Sequence, residues 1–177
     1  MFISLVEKRR SIRKFLSKDV EREKIDTLIE AALRAPTSMG KNPWEFIVVR
    51  DKATLESLSK AKPHGSSFLK NAALAIVVCA DSEKSDIWVE DTSIASAFIL
   101  LAAESIGLGG CWVQVRNRAH DDAKSAETYI SELLDIPEGI KVGAVMGIGY
   151  PDEKKAPHPK ESLLYEKIYY DTYGKSE

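Results

Sequence analysis

Between Lys8 and Lys14 the chain carries five cations in seven residues, K-R-R-S-I-R-K, with the hydroxyl of Ser11 set among the arginines. An arginine fork binds phosphate oxygens in pairs, whereas lysine acts as a point charge. Arg9, Arg10, Ser11 and Arg13 therefore have the chemistry to hold a phosphate, and Ile12 and Phe15 are placed to anchor the run to a core. Taken alone, a basic run is more often a solvated face, by roughly two to one.

A second polar stretch, P-T-S-M-G-K-N-P-W over residues 36–44, offers hydroxyls, an amide and free backbone above a tryptophan. It is either a turn built of turn-forming residues or the polar wall of a ligand site. Gly107, Gly109 and Gly110 precede Cys111-Trp112-Val113-Gln114, where missing side chains let backbone amides approach a ligand, although helix-to-strand connections also use glycine without one. A second basic cluster, Lys154, Lys155, His158 and Lys160, follows residues 142–150. The histidines at 64, 120 and 158 have no partners at ligand spacing, and no metal site is read. Cys79 and Cys111 lie in apolar stretches typical of buried thiols.

The elements that must position these groups are organised around residues 91–112. Residues 94–103 read I-A-S-A-F-I-L-L-A-A, with Ser96 alone polar, so a helix here has no face suited to water and is expected to be buried all round. Asp91, Thr92 and Ser93 have the side chains of a helix cap, and the glycine run marks the stop. A fold of this size rarely hides a helix completely within one subunit, so a partner chain is expected over one side. Residues 20–35 show apolar positions at helical spacing and end at Pro36. Shorter helices are expected over 52–61 and 127–134. Strands are expected over 45–50, 74–80, 111–115 and 142–150. In the last of these, glycines alternate at 143, 147 and 149 and leave a bare face for a helix or a flat ligand. Four tyrosines at 165, 169, 170 and 173 need a surface in the same subunit or a neighbour.

At 177 residues, 44% hydrophobic and 29% charged, the chain is expected to form one domain over 1–177 with a substantial core. A formal charge of −2 gives no reason to propose nucleic acid or an anionic membrane as partner. Charges follow the apolar residues of M-F-I-S-L-V-E-K-R-R, the wrong order for a secretory signal, and a cytoplasmic location is expected.

Taken together, R-R-S-I-R-K-F, A-P-T-S-M-G-K-N-P-W-E-F, the helix ending in G-L-G-G-C-W, and G-I-G-Y-P-D-E-K-K resemble the nitroreductase family of flavin proteins in order and spacing over nearly the whole chain. The resemblance implies an α+β fold, a mixed central β-sheet flanked by helices, and an obligate homodimer with FMN at the subunit interface. Carried over by position, Arg9, Arg10 and Ser11 hold the phosphate and ribityl chain, and Arg13 lies beside the pyrimidine side of the ring. Pro36, Thr37 and Ser38 form a wall given by the other subunit, and Asn42 supplies an amide. Trp112, Val113 and Gln114 present backbone amides to the ring. His158 and Lys160 give the second phosphate contact, with Lys155 as competitor. Gly40 departs from the pattern, since many relatives have asparagine there, and the A-P-H-P-K turn lacks a clear basic pair.

The activity so implied is a ping-pong transfer: NADH or NADPH gives a hydride to FMN N5, and a nitroaromatic or quinone then takes the electrons. Two alternatives stay open: an FMN store or redox sensor without turnover, and a reductive dehalogenase-type relative, for which residues 117–127 are the only sizeable polar insertion and little material for a lid.

Overall fold

A computed structural model describes residues 1–176. Four strands, β1 (Trp44–Val49), β2 (Leu74–Asp81), β3 (Gly109–Gln114) and β4 (Ile140–Gly149), form one sheet in the order β1-β2-β4-β3. Each neighbouring pair runs antiparallel. The parallel component of the sheet is the bridge between Ser11 and Gly110, where the basic run lies against the start of β3. β2 reads L-A-I-V-V-C-A-D and is buried along all but its last residue, as a central strand covered on both faces should be.

One face is covered by α2 (Arg22–Leu33) and α4 (Trp88–Ser105), whose Ile25, Leu28, Ile99 and Ala103 join Ile76, Val78 and Met146 in one core. The other face is covered by α3 (Lys52–Leu58), α5 (Ala126–Leu133) and the 3-10 turn Ser67–Asn71, with Leu55, Leu58, Phe68 and Ile130 over Val77, Val113 and Val145. A short α1 (Phe2–Lys8) buries no residue of its own. Asp51 caps α3 by accepting from the Thr54 amide at 2.8 Å, and Ser125 caps α5 from Thr128 at 3.0 Å.

Three expectations change. The apolar helix starts at Trp88, so Asp91, Thr92 and Ser93 lie in its first two turns and do not cap it. It is not buried all round: Ala95, Ile99 and Ala103 face the sheet, while Ile94 and Phe98 are more than a third exposed on the outer side. An apolar stripe along α4 therefore faces away from its own core. Finally, the bare glycine face of β4 is filled by side chains. A Cβ on Gly147 would stand 2.6 Å from Leu69 and 2.7 Å from Phe68, and one on Gly149 would stand 3.0 Å from Phe15. Flat aromatic rings occupy the space that the sequence left open to a flat ligand.

Candidate flavin site

After α1 the chain extends through residues 9–16 across one end of the sheet. The Ile12 amide donates to the Gly110 carbonyl at 3.0 Å, and the Leu16 amide to the Tyr150 carbonyl at 2.9 Å. Gly109 is required at that crossing, because a Cβ there would come within 2.8 Å of the Ile12 side chain. Ile12 and Phe15 are buried, so the two anchors expected of the basic run hold it in place.

Glu153, in the turn after β4, accepts from the backbone amides of Arg13 at 2.6 Å and Lys14 at 3.1 Å. Those bonds, led by the one from Arg13, hold its carboxyl below the usual range. Lys155 donates to the Ser11 carbonyl at 2.6 Å and pairs with Glu153 at 3.4 Å. The Arg10 guanidinium donates to the Ala156 carbonyl. These backbone bonds hold the segment without using the Arg9 or Arg13 guanidinium. Neither has a side-chain hydrogen bond or ion pair among the described residues.

Arg9, His158 and Lys160 line one cleft of about 770 Å³ with Leu163 and Tyr165. Lys155, the competitor for the second phosphate contact, is instead committed to Ser11 and Glu153. Cys111 sits under the cluster: burial pushes its thiol up, against the opposing pull of Arg13, a hydrogen bond with Ser11, Lys155 and Arg9. Burial likewise pushes the Cys79 thiol up, to about 12. Neither cysteine is activated by the cations around the site.

β3 is an edge strand. Since Gly110 turns its backbone outward to Ile12, alternation along the strand turns Trp112 and Gln114 outward as well, away from β4. Their amides are thus presented at the open edge, and their side chains are joined by a 3.0 Å bond from the Trp112 indole to Gln114. Val113 differs from the sequence reading. Its backbone faces Val145 of β4 and its side chain is buried, so it places its neighbours and has no free amide.

The hydroxyl-rich loop is well defined. Thr37 Oγ1 donates to Asn42 Oδ1 at 2.9 Å and accepts from the Asn42 amide at 3.1 Å. Met39, Gly40 and Asn42 have φ of 50°, 66° and 47°, a left-handed bend in which Gly40 carries no penalty. Asp91, 2% exposed on α4, accepts from the Ser38 amide at 3.0 Å and pins the loop to that helix. Beneath it, the Trp44 indole N–H is buried without a partner among the described residues.

Within one chain these two halves do not meet. The loop is fixed to Asp91 near the start of α4, whereas Arg10 and Ile12 line a cleft with Glu104 at its end. Thirteen residues of helix at 1.5 Å each separate the ends by about 20 Å. Pro36, Thr37, Ser38 and Asn42 thus lie apart from Arg9, Ser11 and Arg13.

The comparisons with known proteins bear on the family and the fold. The model of the nitroreductase family matches residues 6–150. A solved FMN-dependent nitroreductase from Clostridium difficile is 48% identical, with a TM-score of 0.95 over 97% of this chain and 99% of its own. A protein of Archaeoglobus fulgidus, provisionally named an NADH dehydrogenase/NAD(P)H nitroreductase, is 41% identical over 86% of this chain and 87% of its own. The NADPH-flavin oxidoreductase of Vibrio harveyi is 30% identical over 90% of this chain and 71% of its own. The chain belongs to the nitroreductase family.

Some contributors were invisible in the sequence. Asp91 reads as a helix cap and Glu153 as one charge in a polar turn. Their work is done on residues 53 and 140 positions away, and no local pattern marks it.

Proposed function

We propose that the protein is an FMN-dependent oxidoreductase that takes reducing equivalents from NADH or NADPH and delivers them to an electron-poor acceptor, a nitroaromatic or a quinone. The observation that carries this reading is the basic run fixed against the start of β3, with unpaired guanidinium groups at Arg9 and Arg13 beside outward amides at Trp112 and Gln114. Those donors suit one ligand with a phosphate at one end and a polar heterocycle at the other. FMN, when bound, supplies the hydride acceptor at N5 and the electron donor for the second half-reaction.

The chain's own residues bind and orient. Arg9, with His158 and Lys160 across the cleft, would hold the phosphate, while Arg10 and Ser11 hold the segment and line its path. Arg13 would set a fixed positive charge on the pyrimidine side, where negative charge gathers on reduction. The amides of Trp112 and Gln114 would fix the ring at the sheet edge. No carboxylate or histidine is needed as acid or base.

The separation of the two halves supports a homodimer with shared sites. A two-fold axis against the outer stripe of α4 would bring the partner's copy of the Pro36–Thr37–Ser38 loop and Asn42 toward this chain's cluster. Residues 156–176 are exposed throughout, and Leu164, Tyr165, Ile168 and Tyr173 are apolar surface without cover in one chain. In this reading residues 1–177 act as one domain. A cytoplasmic location accords with two buried cysteines left as free thiols.

Steady-state kinetics test the proposal. With NADPH or NADH and a quinone varied together, parallel double-reciprocal lines are expected. Intersecting lines would contradict the ping-pong mechanism, and FMN without turnover would favour the store or sensor.

A further inference from the structure

We infer that a second cleft, bordering the flavin cluster, binds the phosphate groups of the nicotinamide donor and selects NADPH over NADH. This inference rests on the flavin-enzyme reading above and names the donor's subsite.

The cleft has a volume of about 560 Å³ and lies at the end of the sheet where β1 and β4 stop and β2 begins. Four separate pieces of chain bring charge to it. Arg13 and Lys14 come from the segment held by Glu153, Lys52 from the first residue of α3, Lys70 from the end of the 3-10 turn, and Asp152 from the turn after β4. Its size lies within the range of small-molecule clefts, roughly 300–1,000 Å³.

The charges gathered there are uncompensated among the described residues. None of the four cationic side chains has an ion pair or hydrogen bond among the described residues, although elsewhere on the surface Arg22, Arg34 and Lys60 each find a carboxylate one helical turn away. Four cations face the one carboxylate of Asp152, a surplus of three. Nearby Asp51 is already engaged, accepting from the Thr54 amide and hydroxyl at 2.8 and 2.7 Å. Like charges gathered around a concavity raise its potential and draw in a multiply charged anion.

A pyrophosphate carries about two negative charges, and a phosphate monoester adds about 1.5 to 2 more. The 2′-phosphate of NADPH therefore covers the whole surplus, and NADH leaves about one of the three charges unanswered. Arg13 borders both the cleft and the flavin cluster, so one extended ligand can reach from the ring to the lysines.

The test compares the holoenzyme with a Lys52→Gln/Lys70→Gln variant. Both lysines are exposed, so the fold is not at risk, and FMN content serves as its control. KM for NADPH and NADH is measured with a neutral quinone, and NADP⁺ and NAD⁺ binding is measured by calorimetry. The wild type should bind NADP⁺ more tightly than NAD⁺. The variant should raise the NADPH KM about tenfold, as loss of about 1.4 kcal/mol implies. Its NADPH KM should also respond less to salt. Equal wild-type affinities for the two nucleotides would overturn the inference. So would a variant with unchanged NADPH KM and salt response, or one that loses affinity only for an anionic acceptor or inorganic phosphate. A wild type that holds no FMN overturns the flavin reading instead, and NADP⁺ calorimetry still reports on the cleft.

Discussion

At the scale of single residues, charge that is left unpaired is separated from charge that is used. Arg10 and Lys155 look equivalent to Arg9 in the sequence, yet both spend themselves on backbone carbonyls, and Arg9 stays open beside His158 and Lys160. Arg9→Ala should therefore give a folded protein that purifies with much less FMN, read from the ratio of visible to ultraviolet absorbance. A fully loaded variant would refute the assignment of Arg9 to the phosphate. Asp91 makes a different prediction. Asp91→Asn keeps the size but weakens the acceptor of the Ser38 amide, a bond to a charged group worth about 1.5–3 kcal/mol. The loop at 37–42 should then exchange its amide hydrogens faster while the sheet amides keep their protection; unchanged loop exchange would mean that Asp91 does not hold it. The basic run was legible because its residues are adjacent. Asp91 and Glu153 were not, because each acts on a segment far away in the chain.

At the scale of elements, periodicity located α2 to α5 and the four strands to within a few residues, but it missed the short α1 and misjudged what covers the others. Ala, Ile and Leu on all sides of α4 spoke for complete burial, whereas one subunit covers only the side with Ile99 and Ala103. Alternating glycines in β4 left a choice between helix and flat ligand, and Phe15 and Phe68 took the space. Gly147→Ala should consequently overpack this layer and cost about 1–3 kcal/mol in denaturant unfolding; a neutral result would show that Leu69 and Phe68 shift freely.

Tyr150, just past β4, ties three elements together. Its hydroxyl donates to Glu21 at 2.5 Å and meets the Lys24 ammonium at 3.0 Å, and Lys24 also donates to the Ile106 carbonyl at the end of α4. That bond from Tyr150 is the first cause of a Glu21 carboxyl lowered from 4.5 to about 2. A carboxyl depressed on folding stabilises the native state above its ordinary value, and that contribution is lost as pH falls from 4.5 toward 2. Tyr150→Phe should return the Glu21 titration, followed by carboxyl NMR, toward the ordinary value.

At the scale of the whole molecule, the loop and the cluster stand at opposite ends of α4, and the helix between them is apolar on its outer side. Both features suit the proposed homodimer, in which a second copy of the chain covers the stripe. Phe98→Glu places a charge in the middle of that stripe, so sedimentation should show monomer, and FMN should be lost with the dimer. A charged variant that remains a loaded dimer would move the interface elsewhere. Family membership was legible from four motifs in order, because each is a short run of adjacent residues. The donor's identity was not, because the lysines that bear on it, Lys52 and Lys70, are isolated in sequence and gather only in the fold.

The most direct test is the visible spectrum of the purified protein, recorded without oxygen before and after adding NADPH. Flavin bands that bleach within the mixing time, and return when a quinone is added, are the predicted result. A colourless protein that does not take up added FMN, or bands unchanged by either nucleotide, would contradict the assignment of this fold and site to flavin-dependent electron transfer.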